Sequence, residues 1–267
     1  MNRPVHLPEF GTPPLDELVL GVQFSPVPGY SSIYSGEIWE LFKEDFPHVE
    51  EHPALEPQFE TFGGHNARPG FQFSFGPAPT NSRMWFASEE QNDLIQFQSD
   101  RLLHNWRRGP NGMAYPRFEP IEQMYLCNLE KIRDFFRRRF SHELEITQAE
   151  IGYVNLIRVD DFSEIGKWFS IWKASQLNIE GLTTTFMEVV KDNDQRAIAR
   201  LHHILQSVLT IDGKHKAYKL ELTFRGLPKD KSIDGTIEFI RKGREKIVTR
   251  FTELTTDYAH QAWERLK

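Results

Sequence analysis

The sequence predicts an α+β fold in which one unit, strand–helix–antiparallel strands–long helix, occurs twice. Three observations carry this reading. Residues 83–108, RMWFASEEQNDLIQFQSDRLLHNWRR, have the alternation and turn chemistry of three short strands joined by two tight turns. A long amphipathic helix pattern follows at once. The second half of the chain then replays the same order of elements with little identity. The expected product is one or two curved antiparallel sheets with both long helices on one face. An extended segment 1–14 precedes a first unit, 15–142, and a second, 143–267, packed as one pseudo-two-fold domain or as two close halves.

Taken in order, the proline-rich start is extended, and Leu18–Phe24 is a short apolar run closed by Pro26 and Pro28, hence a buried strand. A helix capped by Ser35 has an apolar face of Ile38, Leu41 and Phe42, and Pro47 ends it. His48–Pro79 is the least regular part, although Phe71, Phe73 and Phe75 alternate as in a strand. In the long helix from Phe118 to Phe140, Ile121, Tyr125, Leu129, Ile132 and Phe136 recur at helical spacing, tracing one apolar stripe. Glu119 and Glu122 begin that helix and Arg137–Arg139 end it, the order that the helix dipole favours.

Ile146–Val159 opens the second unit as a strand, and Asp160, Asp161 or Ser163 caps a helix carrying Ile165, Trp168, Phe169 and Trp172. Thr183–Val190, Ala197–Leu209 and Ala217–Phe224 form a meander. The middle segment fits a helix as well, through Ile198, Leu201, Leu205 and Val208. Asp234-Gly235 opens a helix lined by Ile237, Ile240, Ile247, Phe251 and Leu254, and Thr255 or Thr256 caps a last one. The order is similar to duplicated folds of the TATA-binding-protein-like or helix-grip kind, an analogy that implies no function.

The stretches PPLDELVLGVQFSPV (13–27), FPHVEEHP (46–53), LIQFQSDRLLHNWRR (94–108), YPRFE (115–119) and YVNLI (153–157) resemble an uncharacterised, sporadically distributed bacterial family. Its members are cytosolic and of similar length. The resemblance brings no activity, cofactor or catalytic residue. The patchy distribution implies an accessory component of a bacterial defence or stress system.

Composition and charge agree with a globular chain. Hydrophobic residues make up 39% and charged residues 26% of the 267 positions, and no apolar run approaches membrane-spanning length. The N-terminus lacks the apolar segment of a signal peptide, and the single cysteine, Cys127, excludes an internal disulfide, so the expected compartment is the cytoplasm. The net charge of −6 arises in the first half, where Glu37–Glu60 holds eight acids against one base, whereas Lys214–Arg250 holds eleven bases against five acids. Such separation could steer a charged partner, but solvated helix faces and edge strands protected by lysines are the favoured explanation.

No motif for nucleotide, metal or acyl chemistry is present. Gly63-Gly64-His65 does not link a strand to a helix, as a phosphate loop does. His202 and His203 point to opposite sides of a strand. His260 and Glu264 have ligand spacing but no further ligands, and mid-helix placement makes Cys127 an inert, packed thiol. No catalytic residue, metal ligand or cofactor is therefore assigned.

Candidate binding residues come from two groups. Trp85, Arg101, Trp106, Arg107 and Arg108 would make a basic-aromatic patch suited to single-stranded nucleic acid. His104, Asn105, Tyr153 and Asn155 would orient a small molecule, as ligand or as the substrate of an enzyme, in an aromatic-lined cavity between sheet and helices. The first-ranked expectation is a non-enzymatic binding protein with a protein partner or small-molecule ligand. Nucleic acid is not favoured, no membrane is involved, and a homo-oligomer is compatible with the sequence.

Overall fold

The alternation read in the strands builds a single nine-stranded antiparallel sheet, seen in a computed structural model that describes residues 4, 6–62, 82–109, 112–172, 178–210 and 213–267. The first half supplies β1 (Leu15–Phe24), α1 (Ser35–Glu40), β2 (His48–Pro53), β3 (Ser82–Ala87), β4 (Asp93–Gln98), β5 (Arg101–Arg107) and α2 (Phe118–Phe140). The second supplies β6 (Ile146–Val159), α3 (Ile165–Trp168), β7 (Thr183–Lys191), β8 (Ala197–Leu209), β9 (Lys216–Gly226), α4 (Ile233–Leu254) and α5 (Asp257–Ala262). The strand order is β2-β3-β4-β5-β1-β6-β9-β8-β7, so the first strand of each half lies at the centre, the last pairs beside it, and the second strand of each half forms an edge.

Both long helices cover the same side of this sheet. Register places His104, Leu20 and Ile151 side by side on β5, β1 and β6, with their side chains on one face. His104 reaches Asn128 of α2 at 3.2 Å. At the same level a Cβ on Gly243 of α4 would come within 2.6 Å of Ile151, so only glycine lets α4 lie this close to the sheet. The helices are joined at their edges by Glu122–Arg241 and Glu119–Arg244 ion pairs. Ile121, Tyr125, Leu129, Ile132 and Phe136 are all buried, as are Ile237, Ile240, Ile247, Phe251 and Leu254. Each such side chain contributes about 1.5–3 kcal/mol of burial free energy.

Ala197–Leu209 is a strand, paired on both sides. Its Ala199, Leu201, His203 and Leu205 are buried while the residues between them are less so, which is strand alternation. His48–Pro53, read as irregular, is the edge strand β2, exposed along most of its length. Its acids and terminal proline give it little strand propensity, and it forms through pairing with β3. The helix expected after Asp161 is only one turn, α3, and Phe169 and Trp172 follow it. Cys127 is exposed, not packed: it lies two residues from Tyr125 and therefore on the far side of α2 from the apolar stripe. Phe71, Phe73, Phe75 and Gly63-Gly64-His65 lie outside the described residues. Among the described residues no helix is long and apolar enough to cross a membrane.

Candidate interaction face

The helices occupy one side of the sheet, and the other side carries the polar members of each alternating strand. One row across four neighbouring strands consists of Gln98, Arg101, Gln23 and Gln148, adjacent in register on β4, β5, β1 and β6. The chain leaving β2 runs over this row as an extended segment, Leu55–Glu60, and the row holds its backbone. Gln98 accepts from the Leu55 amide at 2.8 Å and donates to the Leu55 carbonyl at 2.9 Å. Gln23 treats Gln58 in the same manner, at 2.9 Å and 2.7 Å. Arg101 donates to the Glu56 carbonyl at 2.9 Å, and Gln148 accepts from the Glu60 amide at 3.3 Å. A side-chain amide presents both an N–H donor and a carbonyl acceptor, which is what a peptide unit needs.

The segment ends in a charged socket. The Glu60 carboxylate accepts from Arg200 and from His202 Nε2 at 2.6 Å, and Arg225 lies 3.9 Å away. Burial pushes Glu60 upward, but the hydrogen bonds from His202 and Arg200 outweigh it and hold the carboxyl below its ordinary range. Arg225 in turn donates to Glu150 at 2.6 Å.

On either side of the crossing segment the face is differently furnished. Toward β3, Trp85 lies between His52, with ring centroids 3.9 Å apart, and the Arg107 guanidinium, 4.8 Å from its ring. A hydrogen-bond relay runs from Arg83 through Gln96 and Asn105 to Glu17, which also accepts from Arg107 at 3.0 Å. Over β1, β6 and β9 lies a groove of about 400 Å³. Its acids are Asp16, Glu17, Glu150 and Glu221, against Lys219 and Arg225. Burial, and then the neighbouring Glu17, raise the Asp16 carboxyl above its ordinary range.

The residues singled out from the sequence are divided between these surroundings. Trp85, Arg101, Asn105 and Arg107 share the open face, with Arg101 buried against Gln23 and the Glu56 carbonyl. His104 and Trp106 belong to the helix-covered side. There His104 is fully buried beside Asn128 and Asp93, and Trp106 packs on Tyr115 with centroids 5.1 Å apart. Arg108 binds the Pro13 and Leu15 carbonyls, and Tyr153 and Asn155 line a small cavity under α4. Of the basic-aromatic set, Trp85 and Arg107 are thus brought together, with Arg101 buried on the same face, whereas Trp106 and Arg108 lie elsewhere. Gln23, Gln98, Gln148, Glu60, Arg200 and Arg225 had not been singled out. Their signal was a polar residue between apolar ones in each strand, but nothing local shows that a distant segment would lie on them.

Among the described residues no cluster of three histidines, cysteines or carboxylates is arranged to hold a metal. His260 bonds Thr255 at 2.9 Å, and Glu264 follows α5 with a positive φ, off the helical face. Comparison with protein-family models, with curated proteins and with solved structures gives no match to this chain.

Proposed function

We propose that this chain is a non-enzymatic interaction protein whose working surface is the open face of the sheet. Its partner is an extended protein segment rich in lysine and arginine. The observation that carries this reading is Leu55–Glu60 itself: the face already holds one extended backbone through paired side-chain amides. The groove beside it is acid-rich, which favours a basic occupant. The charged groups there are paired, Glu17 with Arg107 and Glu150 with Arg225, an arrangement that suits recognition better than proton transfer. The recurrence of strand, helix, strands and helix in each half fits an origin by duplication, with this face as the shared surface.

The test is calorimetric titration of the full chain with a lysine- and arginine-rich peptide and with an acidic peptide of equal length. The basic peptide should bind, the acidic one should not, and Glu221→Arg should weaken binding at least several-fold. Equal binding of both peptides, or none of either, would remove the proposal.

A further inference from the structure

On the opposite side of the sheet, a cavity of about 50 Å³ lies between the ends of β1 and β6 and the middle of α4. A single water needs roughly 10–15 Å³, so the space exceeds one water. The N-terminal segment forms its outer wall, fixed by Gly11 and Thr12 amides donating to the Glu264 and Trp263 carbonyls. Phe10, Leu15, Val248 and Phe251 make most of the lining apolar.

Two features of the cavity favour an anion. Arg244 lines it and is only 4% exposed. Its Nη1 donates to Glu119 at 2.9 Å, whereas its Nη2 is buried with no hydrogen-bond partner among the described residues. Such a group is costly to bury unless something accepts from it. Second, the 23-residue α2 begins here, and Arg117 at its N-cap makes no side-chain capping bond to the first amides. Arg117 also lines the cavity, but its guanidinium is engaged, donating to the Phe10 carbonyl at 3.1 Å and lying 4.0 Å from Glu9. The Tyr115 hydroxyl, which burial and a hydrogen bond with Tyr153 push well above the ordinary phenol range, stays neutral and adds no negative charge to the site. The Glu119 carboxylate beside Arg244 and the Glu9 carboxylate 4.0 Å from Arg117 offset the two guanidinium charges, which disfavours a multiply charged anion.

We propose that this cavity is a binding site for a short-chain carboxylate, whose carboxylate accepts from Arg244 and whose aliphatic end lies against Phe10, Val248 and Phe251. The proposal is independent of the interaction face, which lies across the sheet.

Sodium acetate, propionate and butyrate are the probes, each compared with sodium chloride at equal ionic strength and pH. Thermal unfolding of the full chain should shift upward, with dissociation constants of order millimolar, as expected of ligands with few atoms. Butyrate should exceed acetate, because the lining is apolar. Arg244→Gln should abolish the shift. If that variant does not fold, Val248→Phe, which fills the cavity and leaves the guanidinium, should abolish it instead. No carboxylate-specific shift in the unaltered chain, or a shift that survives Val248→Phe, overturns the assignment.

Discussion

The Glu60 carboxylate lies 2.6 Å from His202 Nε2, although 142 residues separate them in the chain. This pair closes the path of the crossing segment over the sheet and ties the first half of the chain to the second. Glu60→Gln removes the charge and one of the two carboxylate oxygens, so Arg200 and His202 are left with one neutral amide oxygen between them. Hydrogen bonds to charged groups of this kind contribute about 1.5–3 kcal/mol, and a loss of that order is expected in urea unfolding.

The same group sets part of the pH dependence. A carboxyl held below its unfolded value stabilises the fold fully above about pH 4.3, and that contribution is lost as pH falls through the folded value. His203 and His260, lowered chiefly by burial, have the same sign, with contributions present above about pH 6.5 and lost on acidification. The urea midpoint should therefore fall in two stages between neutral and acid pH. In Glu60→Gln the lower stage should shrink while the upper one persists.

Leu129 is fully buried in the stripe of α2. Leu129→Ala should cost about 2–5 kcal/mol through lost transfer energy and a residual cavity. A cost near zero would show that the stripe does not pack on the sheet.

How much of this was legible follows from the range of each signal. Helical spacing from Ile121 to Phe136 is local and legible in the sequence, as is alternation in β3–β5. The segment Ala197–Leu209 satisfied two periods at once, and only pairing with β7 and β9 selects the strand. β2 was missed because its acids argue against a strand that tertiary pairing nevertheless forms. The site was the least legible part. Trp106 and Arg107 are neighbours in sequence, yet the pleat sends them to opposite faces, one into the core and one onto the open side. No periodicity within Leu55–Glu60 indicates that it will lie on glutamines from three separate strands.

Nucleic acid should not bind appreciably at physiological salt. Arg107 is paired with Glu17, Arg225 with Glu150, and Arg108 with backbone carbonyls, so few cations face outward together. Fluorescence anisotropy with random single strands at two salt concentrations checks this. Micromolar affinity falling by about −0.7 in log–log slope per phosphate, and lost in Arg83→Ala/Arg107→Ala, would show that the face reads phosphate instead.

Cys127, on the exposed side of α2, should react with a thiol reagent in the native protein as fast as in denaturant. Cys127→Ser should change stability by less than about 0.5 kcal/mol. Slow native labelling would contradict the exposure of the thiol on α2.

Where a basic segment binds is read most directly from side-chain methyl resonances. Val19 and Val154 lie on the floor of the acidic groove, whereas Val248 and Ile237 belong to α4 on the other side of the sheet. Adding a lysine- and arginine-rich peptide should shift Val19 and Val154 in a saturable way and leave Val248 and Ile237 unmoved. Saturable shifts confined to the α4 methyls, or no shift at any of the four, would contradict the assignment of the open face as the interaction surface.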